Sequence, residues 1–92
     1  MMVNWSPQAH DDRAAIWDHV VAEDPRAANR LDQLFSQAAA DLAEFPALGR
    51  PGLIPGTREL FPATHYRLVY ETRGGQIVIL ALVHTARRWP TP

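Results

Sequence analysis

The sequence predicts an α+β domain in which an N-terminal helical hairpin packs on a small antiparallel β-sheet. Apolar residues recur at helical spacing through the first half of the chain, and three strand patterns fill the second half. A connector rich in glycine and proline separates the two halves. Helices and strands that are segregated in this way are typical of α+β domains. A chain of 92 residues has room for one core, so we expect a single domain over residues 1–92.

The first half predicts one short strand, at residues 2–5, followed by two helices. Each helix start is marked by a capping side chain followed by a proline, which fits the first helical turn. The signal at Ser6 begins a helix that ends near Ala22, and the signal at Asp24 begins a helix that ends before Pro46. Because the turn between them is short, the helices should form a hairpin. The second helix carries the more regular apolar stripe, which we expect in the core: Ala28, Leu31, Phe35, Ala38, Leu42 and Phe45.

The second half predicts three strands, which completes the order β-α-α-β-β-β. Residues 57–61 form a short strand pattern, and residues 65–72 alternate apolar with polar side chains. Residues 76–84 are an almost continuous run of β-branched and aliphatic side chains, typical of a central strand covered on both faces. Gly74 and Gly75 fit a tight hairpin turn between the last two strands.

The composition excludes several classes of protein. The chain has no cysteine, so disulfides and cysteine zinc sites are excluded, and this fits a cytoplasmic location. It has no run of about 18 apolar residues, and its N-terminus lacks the layout of a secretory signal, so we expect no membrane association. His10, His19 and His65 show no metal-ligand spacing, and no phosphate-binding loop with a lysine is present. We therefore expect neither a metal nor a cofactor.

Charge is distributed unevenly along the chain. Residues 1–45 hold three arginines and eight acidic residues, a formal charge of −5. Residues 46–92 hold six arginines and two acidic residues, a formal charge of +4. All nine basic residues are arginine, which a GC-rich genome explains as readily as a functional need. The uneven charge predicts a basic C-terminal surface suited to an acidic partner.

Six segments follow one another across almost the whole chain: WSPQAHDDRAAIWDHV, DPRAANRL, FPALGRPG, PGTREL, YRLVYE and ILALVHTARRWP. Together they resemble the RelE/ParE superfamily of bacterial toxins. The resemblance implies a growth-arrest toxin of a type II toxin–antitoxin module, a plasmid stabilisation system in which a cognate antitoxin neutralises the toxin. RelE-like members resemble small ribonucleases that cut messenger RNA on the ribosome. ParE-like members act on DNA gyrase and are not known to perform catalysis themselves.

Arg67 and His84 are the catalytic candidates if the chain is RelE-like. Arg67 matches the arginine that contacts the scissile phosphate in RelE-like toxins, although a surface ion pair with Glu71 would explain it equally well. His84 ends the last strand, where the YoeB-like ribonucleases carry catalytic residues. However, Leu60 falls where RelE carries the second of two lysines, and Trp89 cannot serve as the acid that RelE's tyrosine provides. The resemblance therefore favours a ParE-like gyrase inhibitor, with a RelE-like mRNA interferase as the alternative.

The basic half also predicts a binding surface for the target or for the antitoxin. We expect residues 49–60, the connector, to bring Arg58 to the face of the sheet that holds Arg67. The expected partners are a cognate antitoxin with an acidic C-terminal segment, which would cover Arg58, Arg67 and Arg87, and either DNA gyrase or the ribosome with its messenger RNA. The candidate binding residues are Arg50, Arg58, Arg67, Arg87, Arg88 and Trp89.

Overall fold

The computed structural model describes residues 1–90, which form two helices and five strands. The helical hairpin and the three C-terminal strands confirm the predicted α+β class. A further strand of two residues lies within the connector. The elements in chain order are β1 (Val3–Trp5), α1 (Pro7–Val21), α2 (Pro25–Glu44), β2 (Arg50–Pro51), β3 (Arg58–Ala63), β4 (Tyr66–Arg73) and β5 (Gln76–His84). No helix among the described residues is long and apolar enough to cross a bilayer.

The sheet has the strand order β1-β5-β4-β3-β2 and is mixed instead of wholly antiparallel. The neighbours β2, β3, β4 and β5 pair antiparallel, as expected. By contrast, β1 runs parallel to β5, with Val3 opposite Ile77 and Trp5 opposite Ile79. A tight turn forces antiparallel pairing only on consecutive strands. β1 and β5 lie far apart in the chain, so a local sequence pattern does not define their relative direction.

Both helices begin at the residues that the capping signals predict. The Ser6 side chain accepts a hydrogen bond from the backbone N–H of Ala9 at 3.1 Å. The Asp24 carboxylate accepts hydrogen bonds from the backbone N–H groups of Arg26 and Ala27, each at 3.1 Å. These bonds satisfy donors that the first helical turn leaves without a partner.

Arg13 of α1 holds the two helices together. Its Nε donates to Asp32 Oδ1 at 2.7 Å, and its Nη2 donates to Ser36 Oγ at 2.7 Å, both on α2. The guanidinium also lies 4.7 Å from the ring centroid of Trp5 on β1, a cation–π distance. One side chain therefore connects three elements.

The core lies between α2 and the face of the sheet that the helices cover, which we call the inner face. Buried side chains of the α2 stripe, among them Phe35 and Leu42, pack there against strand residues such as Leu68. Phe45, expected in this core, is instead 57% exposed. The reason is local: α2 ends at Glu44, and Phe45 has φ −127° and ψ 79°, so it leaves the helical stripe.

The connector is attached to the core through Tyr70 of β4. The Tyr70 hydroxyl donates to the Pro46 carbonyl at 2.7 Å and accepts from the Gly49 N–H at 2.9 Å. A side chain at position 49 would meet the Glu59 carbonyl and the Tyr70 ring at 2.8 Å, so the backbone approaches this closely only because the residue is glycine. The connector is thus a fixed segment of the fold.

Candidate functional site

The predicted arginines are divided between the two faces of the sheet. Directly paired residues of neighbouring strands project to the same face. Arg58 pairs with the core residue Tyr70 and therefore lies on the inner face, where its Nη1 donates to the Gly49 carbonyl at 2.7 Å. Arg67 pairs with Val83 and lies on the opposite, outer face. The expectation that Arg58 and Arg67 share a face is therefore wrong, because strand alternation separates them.

Arg67 is paired with Glu59 of β3, not with Glu71. Its Nε lies 3.1 Å from Glu59 Oε1, and the two side chains are only 16% and 1% exposed. The Arg67 Nε–H is not directed at the carboxylate as a hydrogen bond requires, so the contact is an ion pair. Glu71 instead pairs with the exposed Arg73. Arg67 reaches across to the neighbouring strand, where a more deeply buried carboxylate is available.

Glu59 is the centre of a small cluster on the outer face. Its Oε2 accepts a hydrogen bond from the Leu53 N–H at 3.0 Å, which ties the connector to the sheet. Arg50 of β2 pairs with Glu59 in the sheet and has its Nη2 4.0 Å from Glu59 Oε1. The guanidinium carbons of Arg50 and Arg67 lie 4.9 Å and 5.7 Å from the ring centroid of Phe61. We call Arg50, Glu59, Phe61 and Arg67 the Glu59 cluster.

Sequence reasoning did not identify Glu59 or Phe61. The available signal was weak: Glu59 is one of two acidic residues in the basic half, and it lies at the position in β3 where a pairing arginine on β4 is within reach. Arg50 remains the accessible member of the cluster, with a side chain that is 64% exposed.

His84 lies on the inner face, on the other side of the sheet from Arg67. It pairs with Tyr66, and their rings pack edge to face with centroids 5.2 Å apart. The His65 ring stacks parallel to the His84 ring at 5.8 Å. His84 Nδ1 accepts a hydrogen bond from the Ala86 N–H at 3.0 Å, so a neutral His84 carries its proton on Nε2.

A cavity of about 420 Å³ lies beside His84, between α1 and the end of β5. Its polar lining includes Tyr66, His84 and Arg87, together with Asp12 and His19 of α1. The Asp12 carboxylate accepts hydrogen bonds from the Leu82 N–H at 3.0 Å and from Gln8 Nε2 at 2.7 Å. Asp12 therefore caps the edge of β5 where β1 no longer covers it.

A second cavity, of about 600 Å³, lies under the C-terminal tail, and we call it the tail cleft. Arg87 and Arg88 line it and are exposed, whereas Trp89 is half-buried. Trp89 Nε1 is buried and has no hydrogen-bond acceptor within residues 1–90. The residues that line the tail cleft are Gln8, Asp12, Leu80, Ala81, Leu82, Val83, Arg87, Arg88 and Trp89. The tail thus brings three of the predicted binding residues to one place.

Exposed apolar side chains form another feature, whose individual residues the sequence did not identify. Apart from the two N-terminal methionines, they belong to α2, the residues that follow it, and β3. A shallow groove of about 200 Å³ between α2 and β3 contains some of them, including Leu34 and Phe61. The exposed large apolar residues outside the N-terminus are Leu34, Phe45, Leu48, Leu53, Ile54 and Phe61. Apolar surface of this kind commonly contacts another protein.

Within the part of the chain that the structure describes, no group of three or more histidine, aspartate or glutamate side chains is arranged to hold a metal ion. The candidate site comprises the arginines, the aromatic side chains and the two cavities beside α1. The protein is thus a small α+β domain in which a helical hairpin covers one face of a mixed five-stranded sheet, with an arginine-rich second half.

The family model for the ParE toxin of the type II toxin–antitoxin system parDE matches residues 3–89. The chain belongs to this family, within the RelE/ParE superfamily of toxins. Membership of a type II toxin–antitoxin family implies a cognate antitoxin as a partner.

Two relatives and one solved structure agree with this assignment, and a second solved structure shares the fold. Y4kP of Sinorhizobium fredii, described as a candidate toxin, is 33% identical over 88 residues, covering 96% of this chain and 92% of that protein. Toxin RelE2 of Caulobacter vibrioides is 36% identical over 86 residues, covering 92% and 96%. The chromosomal ParDE system from P. aeruginosa contains a chain with a TM-score of 0.80 and 27% identity, with 91% and 95% covered. The YoeB/ParE toxin from Agrobacterium tumefaciens, with a TM-score of 0.64, 15% identity and 91% and 98% covered, shares the fold.

Proposed function

We propose that the protein arrests growth by binding DNA gyrase in the ParE manner and catalyses no reaction itself. The observation that carries this proposal is the separation of Arg67 from His84. The two catalytic candidates of a RelE-like enzyme lie on opposite faces of the sheet. Cleavage of RNA by a 2′-hydroxyl needs a cation, a base and an acid around one phosphate. Side chains on opposite faces cannot surround one phosphate.

The pairing of Arg67 gives a second reason to favour binding over catalysis. The charge of Arg67 is already matched by the buried Glu59 carboxylate, and little of its side chain is accessible. An arginine in this position holds the sheet together and offers a phosphate only a small accessible surface. Leu60, which falls where RelE has a lysine, cannot replace the missing charge.

The surface also suits a protein partner better than RNA. Binding to RNA is driven by several cationic contacts to phosphates. Here three of the six arginines in residues 46–92 are held by an internal carboxylate or carbonyl: Arg58, Arg67 and Arg73. Residues 1–45 carry a formal charge of −5, which repels the phosphates of RNA. The exposed apolar side chains of α2 and β3 suit contact with another protein and gain nothing from a phosphodiester chain.

The accessible arginines define the surface on which an acidic antitoxin segment would bind. We place this encounter in the cytoplasm. Arg50, Arg87 and Arg88 are exposed, whereas Arg58 and Arg67 are largely covered by their own partners. We therefore place the antitoxin's acidic segment on Arg50, Arg87 and Arg88, with Trp89 as an aromatic neighbour, and not on Arg58 and Arg67.

Pulse expression of the chain without antitoxin tests the proposed target, with DNA and protein synthesis measured separately. We expect DNA synthesis to stop first, accompanied by cleaved gyrase–DNA complexes. The purified protein should inhibit supercoiling by gyrase. Translation that stops first, with codon-phased cuts in messenger RNA, would overturn the proposal.

The alternative is a RelE-like mRNA interferase, and one observation favours it. His84, Tyr66 and Arg87 line the same cavity, so an imidazole, a phenol and a cation lie near one another without Arg67. One relative is also named Toxin RelE2. In this alternative His84→Ala lowers the rate of RNA cleavage by about 100-fold or more. If the protein is a gyrase inhibitor, His84→Ala keeps its toxicity. Thermal melting checks that the variant is folded.

A further inference from the structure

The tail cleft contains donors that the described fold does not use. Trp89 Nε1 is shielded from solvent and donates to no acceptor within residues 1–90. Arg87 and Arg88 have no carboxylate within 4.0 Å in the same part of the chain. A buried N–H without an acceptor costs free energy, and native proteins rarely leave one unpaired. A ligand that brings an acceptor to Trp89 would remove this cost.

The lining of the cleft limits the chemistry of that ligand. One wall consists of β5 residues, of which Leu80, Ala81 and Val83 are apolar. The cations stand at the tail, so a suitable ligand has an apolar part beside an anionic part. The volume of about 600 Å³ accommodates more than one side chain.

The negative charge of Asp12 disfavours binding of a polyanion in the tail cleft. Its carboxylate lies in the lining and is already held by the Leu82 N–H and by Gln8. Those bonds fix Asp12 but do not remove its charge, so it repels the closely spaced phosphates of a nucleic acid. A single carboxylate can approach Arg87 and Arg88 while keeping its distance from Asp12.

We propose that the tail cleft binds a segment of the antitoxin in which an acidic side chain lies next to an apolar one. The carboxylate accepts a hydrogen bond from Trp89 Nε1 and pairs with Arg87 and Arg88, and the apolar side chain packs on β5. This inference rests on the proposed neutralisation of the protein by an acidic antitoxin segment. It does not depend on which cellular target the toxin inhibits.

The indole N–H of Trp89 provides a direct test by nuclear magnetic resonance. Isotope-labelled protein, made by cell-free synthesis, is titrated with a synthetic peptide in which a single glutamate is flanked by leucines. We expect the indole proton of Trp89 to move downfield while those of Trp5 and Trp17 stay in place. The resonance is assigned from its absence in Trp89→Phe. A Trp89 resonance that does not move at saturation overturns the proposal.

Affinities measured by fluorescence anisotropy test the arginines. The double variant Arg87→Gln with Arg88→Gln should weaken peptide binding by about tenfold or more, because charge-assisted bonds are lost. Trp89→Phe, which keeps an aromatic side chain but removes the N–H donor, should weaken it by about threefold or more. The matched control Arg73→Gln removes an arginine that already pairs with Glu71 and should change binding by less than about twofold.

Three further outcomes contradict the proposal. Equal weakening by Arg73→Gln would mean that only net charge attracts the peptide. Unchanged binding to a peptide with glutamine in place of glutamate would mean that the carboxylate is not recognised. Tighter binding of single-stranded RNA than of the acidic peptide would assign the cleft to a nucleic acid. Inhibition of gyrase is measured separately, so failure of the peptide site and failure of the proposed target remain distinguishable.

Discussion

The Glu59 carboxylate is almost inaccessible to solvent, and a buried charge needs partners that replace its lost hydration. Arg67 supplies the opposite charge and the Leu53 N–H supplies a hydrogen bond. Arg50 adds a weaker, more exposed contact at 4.0 Å. Glu59 therefore stabilises the sheet and holds the connector. It also pairs with Arg67, the arginine that a RelE-like ribonuclease would need to contact a phosphate.

Replacing Glu59 by glutamine should destabilise the fold. Glu59→Gln keeps the shape and an acceptor for Leu53, but it leaves Arg67 without its counterion. We expect a loss of about 1–3 kcal/mol in the free energy of unfolding, less than for a fully buried pair because Arg67 is partly solvated. Urea denaturation of the purified variant measures the change. Glu71→Gln, which breaks only the pair with the exposed Arg73, is the control and should cost less than about 0.5 kcal/mol.

Removing one hydroxyl from Tyr70 should loosen the connector. Tyr70→Phe leaves the buried Gly49 N–H and the Pro46 carbonyl without their partner. Leaving such groups unpaired costs about 1–3 kcal/mol of stability. Tyr66→Phe is the matched control, because no hydrogen bond of the Tyr66 hydroxyl occurs within residues 1–90. The urea concentration at which half of this variant unfolds should stay near that of the original protein. Equal midpoints for both variants would show that the Tyr70 hydroxyl does not anchor the connector.

At the scale of secondary structure, two side chains in the middle of α1 join the helices to each other and to the sheet. Arg13 links α1 to α2 and lies against β1, while Asp12 links α1 to the uncovered edge of β5. These contacts fix the hairpin on the inner face, so the two cavities beside α1 have defined walls. The position of the tail cleft thus depends on the helical hairpin as much as on the tail.

Loss of the Arg13 contacts should destabilise the hairpin more than loss of an exposed arginine. Arg13→Met keeps the aliphatic stem but removes the bonds to Asp32 and Ser36. We expect the free energy of unfolding to fall by about 1–2 kcal/mol, with faster amide hydrogen exchange in α1. The exposed Arg30, replaced by methionine, is the control. If amide hydrogen exchange in α1 is as slow in Arg13→Met as in Arg30→Met, Arg13 does not hold the two helices together.

The whole molecule has two electrostatic halves, −5 over residues 1–45 and +4 over residues 46–92. The exposed cations Arg50, Arg87 and Arg88 belong to the second half and remain available after internal pairing. A partner with an acidic segment is therefore attracted to one end of the chain and repelled by the other. This arrangement orients the partner during the encounter.

Association with an acidic antitoxin should accordingly be sensitive to salt. Raising the ionic strength from low to near-molar should slow association by about tenfold or more, because screening removes the steering by the exposed arginines. Dissociation should change much less, because apolar contacts are not screened. Stopped-flow mixing at several salt concentrations measures both rates. An association rate that is independent of salt would contradict this view of the basic half.

Local signals in the sequence predicted most of the fold but little of the site. Ser6 and Asp24 begin the helices because capping is a contact between near neighbours in the chain. The parallel pairing of β1 depends on contacts between distant segments, and so does the pairing of Arg67 with Glu59. Even the sheet face of Arg58 follows from its register with Tyr70, which the spacing of residues along one strand does not reveal.

The anchored connector also affects how the protein meets proteases. A surface segment rich in glycine and proline is an ordinary site for cleavage, because it fits a protease active site once it opens locally. Here Tyr70 holds Pro46 and Gly49, and Glu59 holds Leu53. Cleavage then requires opening that disrupts the core, so the resistance of the connector to proteolysis follows the global stability of the fold.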